Sequence, residues 1–272
     1  MMVHQLKIYF NVTEKIKRFV YIYLIEAEYC YLIDSGVCGC EAQIINYMDT
    51  IGRKLPDLKG IFLTHAHPDH IGAAAWLREH TGCKVYASAG EKAWIENIDL
   101  QFRERPIPNF YKLAGKSVHV DCIVNDEETA EPEPGLTIKA IRTAGHSVDG
   151  MSYQAGKTLF IGDAVPVKGD IPIFIDEKKI RAALNRLETI QGVEKFCPAW
   201  DQSYDPAMMK RKITEARALI DALKEAVAAC DDGIGNTELA GRVCEYLRMP
   251  MFRDNPLFAR TVASLREKVE MI

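Results

Sequence analysis

The segment 61–76, IFLTHAHPDHIGAAAW, places His65, His67, Asp69 and His70 within six consecutive positions. Three of the 7 histidines in the whole sequence lie in this one segment. Imidazole and carboxylate side chains are ordinary ligands of zinc, manganese and iron. A lone histidine in a polar loop indicates little, but four side chains of these types at this spacing predict a metal site.

The chain geometry around these residues favours two groups of ligands. Alternate side chains of an extended segment point the same way, so His65 and His67 can bind one ion together. Pro68 disfavours helical torsions at the residue before it, which keeps this part of the chain extended. Asp69 and His70 lie at the start of the next predicted helix and leave the backbone in a different direction. They could therefore hold a second ion beside the first.

Two later segments offer further ligands. TAGHSVDG (143–150) places His146 in a glycine-flanked loop directly after a predicted strand. LFIGDAV (159–165) places Asp163 after an apolar strand and a glycine, where a carboxylate could bridge two metal ions. Because both residues follow predicted strand ends, we expect them to join the histidine-rich segment in one site.

Short strands alternate with helices over most of the chain before this pattern changes. A buried strand at 58–64 runs directly into the histidine-rich segment. The segment 117–124 is predicted as a strand, and 127–135, EETAEPEPG, as a Pro- and Glu-rich turn. These alternating elements favour a mixed α and β fold for the first part of the chain.

The last part of the sequence reads as helical. A long segment with apolar residues at helical spacing begins with Pro206, and two more helices are predicted at 237–247 and 256–269. We therefore divide the chain into a main domain, 1–205, and a C-terminal helical extension, 206–272. The extension is expected to pack on the main domain or on a partner.

The motifs THAHPDH, TAGHSVDG and FIGD resemble, in this order, the motif series of the metallo-β-lactamase-fold superfamily. YLIDSG (31–36) resembles the early strand and turn of that family, which implies that Asp34 supports the ligands from behind. The resemblance covers roughly residues 1–205. It implies an α+β fold, a four-layer αββα sandwich with metal ions at one edge between the sheets, followed here by the C-terminal helical extension.

The resemblance also implies ligand roles. The first metal site would consist of three imidazoles, those of His65, His67 and His146. Asp69 and His70 would form part of the second site, with Asp163 between the two ions. Asp69 would in addition orient the attacking water.

One position departs from the family pattern. The last ligand of the family is a histidine, but the corresponding segment here, 194–205, carries Trp200, whose indole N–H can only donate a hydrogen bond. Three interpretations follow: Asp201 substitutes as the sixth ligand, the second site is weak or empty, or His119 replaces the missing group. The third interpretation is disfavoured, because His119 lies on a predicted strand before His146, whereas the missing group is the last ligand in the sequence order.

The long, proline-interrupted segment 97–115 carries Arg103, Arg105, Phe110 and Tyr111. Loops of this length in compact domains are often functional. The segment is expected to line the substrate entrance, with a subunit interface as the alternative. If it is a lid, its arginines favour an anionic substrate.

Composition excludes several classes of function. The net charge of −4 argues against a general nucleic-acid binder, whose phosphate contacts need clustered Lys and Arg. The most apolar run, 19–33, is interrupted by Glu26 and Glu28 and is too short to span a bilayer as a helix. With no apolar core of signal-peptide type at the N-terminus and 8 cysteines expected as reduced thiols, a cytoplasmic protein without a membrane partner is predicted. The segment 249–260, MPMFRDNPLFAR, suggests a homodimer through the C-terminal helices.

These observations favour a metal-dependent hydrolase acting on a small ester, thioester, lactone, amide or phosphoester. The expected cofactor is zinc, as one or two ions, with manganese or iron as alternatives. Such an ion lowers the pKa of bound water to about 7 and polarises the scissile group. Two other hypotheses stay open: a mononuclear iron oxidoreductase of the persulfide dioxygenase type, and a metal-binding scaffold without catalysis.

Overall fold

Two mixed β-sheets and a set of flanking helices form the computed structural model, which describes residues 1–14 and 16–266. The strands are β1 (Met2–Asn11), β2 (Lys17–Glu26), β3 (Cys30–Ile33), β4 (Leu58–Phe62), β5 (Lys84–Ala87), β6 (Cys122–Ile123), β7 (Thr129–Glu133), β8 (Leu136–Arg142), β9 (Met151–Ala155), β10 (Thr158–Gly162) and β11 (Lys195–Pro198). The α-helices are α1 (Glu41–Thr50), α2 (Pro68–Ile71), α3 (Ala74–Thr81), α4 (Ala89–Glu96), α5 (Ile98–Glu104), α6 (Phe110–Ala114), α7 (Glu177–Thr189), α8 (Pro206–Cys230), α9 (Asn236–Tyr246) and α10 (Pro256–Leu265).

The first sheet has six strands in the order β1-β2-β3-β4-β5-β6. Its first three strands are antiparallel, and β3 to β6 are parallel. The second sheet has the order β11-β10-β9-β8-β7, antiparallel except for the parallel pair β10 and β11. In the parallel part of the first sheet, the carboxyl end of β4 leads directly into the histidine-rich segment.

The two sheets pack face to face over a core of aromatic and aliphatic side chains. Phe62 of the first sheet contacts Tyr153 of the second, with ring centroids 5.4 Å apart. The Tyr153 hydroxyl donates to the Leu63 carbonyl at 2.9 Å, and the Tyr23 hydroxyl donates to the Pro198 carbonyl at 2.7 Å. Buried hydroxyls that find partners on the facing sheet fix the relative position of the two sheets.

Helices cover the outer face of each sheet and complete the four-layer αββα sandwich that was expected. One apolar cluster contains residues of α1, α3, α4 and the first sheet. Another contains residues of the four helices α7, α8, α9 and α10 and of the second sheet. Side chains on one stripe of α8, such as Ile213 and Ile220, are fully buried, as their helical spacing predicted. Asp205 caps this helix by accepting from the Met208 N–H at 2.7 Å, just before Pro206.

The C-terminal helices therefore share a core with the main fold. Phe258 and Val262 of α10 lie in the same buried cluster as Leu184 of α7. The described part of the last helix ends at Leu265, and the predicted positions 267–269 lie outside the described residues. None of the helices in residues 1–14 and 16–266 combines the length and apolar composition that a bilayer span requires.

Three predictions of local structure were wrong. Of the strand predicted at 117–124, only Cys122–Ile123 pairs in a sheet, because Val118 and Val120 hydrogen-bond to α4 instead. The predicted turn at 127–135 contains β7, an edge strand that tolerates Pro132 because one of its sides is unpaired. The predicted loop at 97–115 forms the short helices α5 and α6.

Candidate metal centre

Three chain segments, each following a strand end, bring the predicted ligands together. The histidine-rich segment follows β4, His146 follows β8, and Asp163 follows β10. Gly162 allows the segment before Asp163 to pass close to Thr64: it has φ +48°, and a Cβ built there would lie 2.8 Å from the Thr64 hydroxyl oxygen. Only glycine adopts this backbone conformation at this distance without strain.

The atoms that could bind an ion converge on one point. His65 Nε2 and His146 Nε2 each lie 2.9 Å from His67 Nδ1, and Asp163 Oδ2 lies 3.2 Å from His146 Nε2. One ligand atom from each of the four residues falls within 4.8 Å of the others. Three imidazole nitrogens and a carboxylate oxygen form the kind of set that binds zinc tetrahedrally.

The histidines of this set are kept neutral, as metal binding requires. Burial lowers the pKa of His65 and His67 well below the ordinary range, and the neighbouring positive groups lower it further. Burial also lowers the pKa of His146, although Asp163 opposes this shift. Buried nitrogens this close together, with protonation disfavoured, fit a bound cation.

Hydrogen bonds orient two of the imidazoles. The Thr64 hydroxyl donates to Asp34, so its oxygen accepts from His65 Nδ1 at 3.0 Å. His146 Nδ1 donates to the Ile173 carbonyl at 2.8 Å. In both cases the proton on Nδ1 leaves Nε2 with its lone pair directed at the centre.

Asp34 lies behind the clustered histidines and hydrogen-bonds to two neighbouring residues. It adopts φ 60°, and its carboxylate accepts from the Thr64 N–H at 2.7 Å and from His70 Nδ1 at 2.8 Å. Asp tolerates such a left-handed backbone better than most residues. One carboxylate thus aligns both the strand end that carries His65 and the imidazole of His70.

A second group of ligand atoms adjoins the first. His70 Nε2 lies 3.6 Å from Asp69 Oδ2 and 3.4 Å from Asp163 Oδ1. His70 Nε2 and Asp163 Oδ1 are buried and have no hydrogen-bond partner among the residues that the structure describes. Burial by itself lowers the pKa of His70, but Asp163, Asp34 and Asp69 together raise it well above its ordinary value. Two orphaned polar atoms that face each other fit a second cation.

Trp200, where the resemblance implies a histidine ligand, contacts the cluster through Asp163. Its Nε1 donates to Asp163 Oδ2 at 3.0 Å, and the Arg18 guanidinium lies 4.4 Å above its ring. The structure does not bring Asp201 into the cluster, because its carboxylate accepts from the Tyr204 hydroxyl and pairs with Lys212, both at 2.8 Å.

His119 also lies outside the cluster of candidate ligands. It pairs with Glu96 at 2.8 Å on an exposed surface, where 61% of its side chain is accessible. Among the residues that the structure describes, Asp69, His70 and Asp163 therefore form the second group of candidate ligands.

The four predicted residues of the segment 97–115 have different positions. Arg105 is buried and lines a cavity beside the centre, whereas Arg103 is exposed. Phe110 does not line an entrance; it is 1% exposed and belongs to the core of the first sheet. The Tyr111 hydroxyl donates to Asp99 on the surface.

The cavity has a volume of about 510 Å³, and Asp69, His67, His146 and Asp163 are among its lining residues. Most of its wall is apolar, with contributions that include Ile107, Val165, Ile171, Met251, Phe252 and Leu257. The last three belong to the C-terminal helical extension. The apolar character of 249–260 is evident in the sequence, but no motif indicated that it faces the ligands.

Glu91 is a functional candidate that the sequence did not reveal. Its buried carboxylate accepts from the Ala66 N–H at 3.0 Å and from the Asp149 N–H at 2.9 Å. Burial raises the pKa of Glu91, while these hydrogen bonds lower it. The residue links the loop of His65 and His67 to the loop of His146, yet a single glutamate in a helix carries no sequence signature.

Solved structures with the same architecture include a metallo-beta-lactamase family protein from Thermus thermophilus, with a TM-score of 0.74 and 19% identity. That superposition covers 96% of this chain and 91% of the other. BJP-1, a subclass B3 metallo-beta-lactamase of Bradyrhizobium japonicum, has a TM-score of 0.60 and 20% identity over 74% of this chain and 86% of its own. At these identities, the similarity shows the fold.

Sequence relatives include proteins named as hydrolases. A hydroxyacylglutathione hydrolase of Thiobacillus denitrificans is 27% identical over 175 residues, which cover 64% of this chain and 57% of the relative. BaeB of Bacillus velezensis, described as a probable polyketide biosynthesis zinc-dependent hydrolase, is 29% identical over 150 residues, 53% of this chain and 57% of its own. The matches span about half the length of these curated relatives.

The family assignment rests on a longer match than either relative provides. The sequence model of the metallo-beta-lactamase superfamily matches residues 16–194, well over half of the chain. That range contains all the clustered histidines and Asp163. The chain therefore belongs to the metallo-beta-lactamase superfamily.

Proposed function

We propose that this chain is a metal-dependent hydrolase that cleaves a small acyl substrate, with a thioester or ester as the preferred class. The observation that carries the proposal is the convergence of three neutral imidazoles and Asp163 beside a largely apolar cavity. An ion-binding set without access would fit a structural role, but this set borders a space large enough for a substrate.

Zinc fits the donor set, since neutral imidazole nitrogens and a carboxylate oxygen are its ordinary ligands, with manganese and iron as alternatives. A divalent ion held there would lower the pKa of bound water and polarise the scissile carbonyl. Asp69 lines the cavity and is half-buried, so its carboxylate can orient the attacking water and accept its proton. Asp163 contributes one oxygen to each ligand group, and the Trp200 N–H restrains it.

The relatives and the cavity together support the acyl substrate. Hydroxyacylglutathione hydrolases are named for a thioester of glutathione, which makes thioester cleavage the first chemistry to test. Their full substrate is not carried over, because the chain matches only about half their length. The apolar wall favours a substrate with a hydrocarbon body.

A mononuclear iron oxidoreductase is the second candidate, and one observation favours it. The indole of Trp200 hydrogen-bonds to Asp163 where a sixth ligand would otherwise lie, so the second group has three protein ligands. A depleted second group is compatible with chemistry at a single ion.

Metal analysis and turnover decide between these functions. Protein purified without added metal is analysed for zinc, manganese and iron and then assayed on thioesters, esters, lactones and phosphodiesters. We expect zinc or manganese, and thioester hydrolysis that Asp69→Asn lowers by at least about 100-fold. Asp221→Asn is the control, because Asp221 is exposed and pairs with Arg181.

Two results contradict the proposal. Iron content with oxygen uptake on glutathione persulfide supports the oxidoreductase instead. If no substrate of the panel shows turnover that depends on Asp69, the result supports a scaffold without catalysis.

A further inference from the structure

Arg105 is a buried cation in the cavity wall, and the candidate metal ligands do not explain why a positive charge is buried there. Only 5% of its surface is exposed, and its Nη1 is buried without a hydrogen-bond partner in residues 1–14 and 16–266. We propose that Arg105 forms an anion-binding subsite of this cavity, and that the substrate carries a carboxylate or a similar anion on an apolar body. The substrate part of this inference rests on the proposed hydrolase function; the binding site itself rests on the cavity.

Other arginines near the cavity are satisfied by protein groups. Arg18 forms two hydrogen bonds with Asp170, at 3.0 and 2.8 Å. Arg260 donates to the Glu104 carbonyl at 2.6 Å. Arg105 differs from both, because a buried guanidinium without a partner is costly and persists where a ligand supplies the missing acceptor.

The nearby carboxylates do not remove this need. Burial lowers the pKa of Arg105 to about 10, and the charges of Asp69 and Asp163 oppose that shift, so the side chain stays a cation at neutral pH. Both carboxylates also belong to the ligand groups of the metal centre. Once they bind cations, their negative charge no longer balances Arg105, and an anion entering the cavity can do so.

The guanidinium and the wall specify the ligand. A planar guanidinium binds a carboxylate through two parallel hydrogen bonds, a geometry that lysine cannot reproduce. The apolar side chains around it, such as Ile107, Val165 and Leu257, suit a hydrocarbon chain. A medium-chain acyl compound with one anionic group satisfies both features.

Calorimetric binding to the zinc-loaded protein tests the subsite with two probes of equal size, octanoate and octanamide. Wild type is expected to bind octanoate at least about tenfold more tightly, and Arg105→Met to lose this preference. Arg105→Lys is expected to keep part of it. Arg103→Met is the matched control, because Arg103 is exposed on the same segment.

Two outcomes overturn the subsite. One is that the wild-type protein binds octanoate no more tightly than octanamide, or binds neither probe. The other is a preference that survives in Arg105→Met, which assigns the carboxylate to the metal ions. Thermal melting checks the variant: removal of an unpaired buried charge leaves the melting temperature of the ligand-free protein unchanged or raises it, whereas a structural ion pair would require a fall.

Turnover of S-phenyl thiohexanoate, a neutral thioester, is measured separately in the same preparations. Octanoate binding that depends on Arg105 without any turnover removes the hydrolase proposal and leaves the subsite. Turnover without Arg105-dependent binding removes the subsite and leaves the hydrolase.

Discussion

Among single residues, Trp200 is the one whose substitution tests how many metal ions the centre holds. Its indole N–H donates to Asp163 Oδ2, and it has no lone pair to offer an ion. We predict that Trp200→His retains more zinc per chain than wild type after dialysis, measured by mass spectrometry of the metal. The added imidazole nitrogen supplies a fourth protein ligand beside Asp69, His70 and Asp163.

The control for this substitution is Trp94→His. Trp94 donates to Glu104 at 2.6 Å, away from the clustered histidines. Equal zinc content in Trp200→His and wild type would show that the indole does not limit the second group.

Helix α4 acts as an element that joins two ligand loops. Through Glu91 it accepts one backbone N–H from the loop of His65 and one from the loop of His146. In Glu91→Gln an amide NH₂ replaces one carboxylate oxygen and faces a backbone donor, so one hydrogen bond is lost. We predict zinc affinity about 10–100-fold weaker, measured by competition with a chelator.

Glu96→Gln on the same helix is the matched control. Glu96 also accepts a backbone N–H, that of Val120, at 2.9 Å, but it is not linked to the ligand loops. If both variants lower zinc affinity equally, the effect of Glu91 comes from helix stability and not from ligand placement.

The sequence predicted those elements whose side chains follow one strong period or motif. Local spacing alone defines three of these features, so they were recognisable in the sequence: the histidine-rich segment, the turn at Gly162 before Asp163, and the buried stripe of α8. The contacts of Glu91 were not predicted, because its partners lie 25 and 58 positions away. The burial of Arg105 beside the cavity was not predicted either, because it depends on how distant segments pack. Likewise β7 was missed, because it contains Pro132, which an edge strand accepts, and the sequence does not show which strand lies at an edge.

At the scale of the whole molecule, the C-terminal helices complete both a core and a cavity. Phe258 and Val262 are buried against the second sheet's helices, while Met251 and Leu257 line the cavity. Of the apolar residues that suggested a homodimer, Phe258 is buried within the chain, whereas Met251 is 71% exposed. The division at residue 205 and the homodimer both stay predictions, and analytical ultracentrifugation tests the second.

Zinc binding links the metal centre to the stability of the whole fold, because the ligands come from segments that follow strands of both sheets. A ligand that binds only the folded state stabilises it by about 2.7 kcal/mol at roughly 100 times its Kd. We predict that zinc raises the melting temperature over that of the EDTA-treated protein, and that the increase is smaller at about pH 5.5 than at about pH 7.5.

The sign of this pH effect follows from His70. Burial lowers its pKa, but Asp163, Asp34 and Asp69 raise it well above the ordinary value, so the zinc-free fold holds a proton there that a cation must displace. Each displaced proton lowers the zinc-induced stabilisation by about 1.4 kcal/mol per pH unit of acidification. His119→Gln, an exposed control, is expected to leave the effect unchanged. An equal increase at both pH values would mean that zinc displaces no proton, and that His70 is outside the reach of the bound ion.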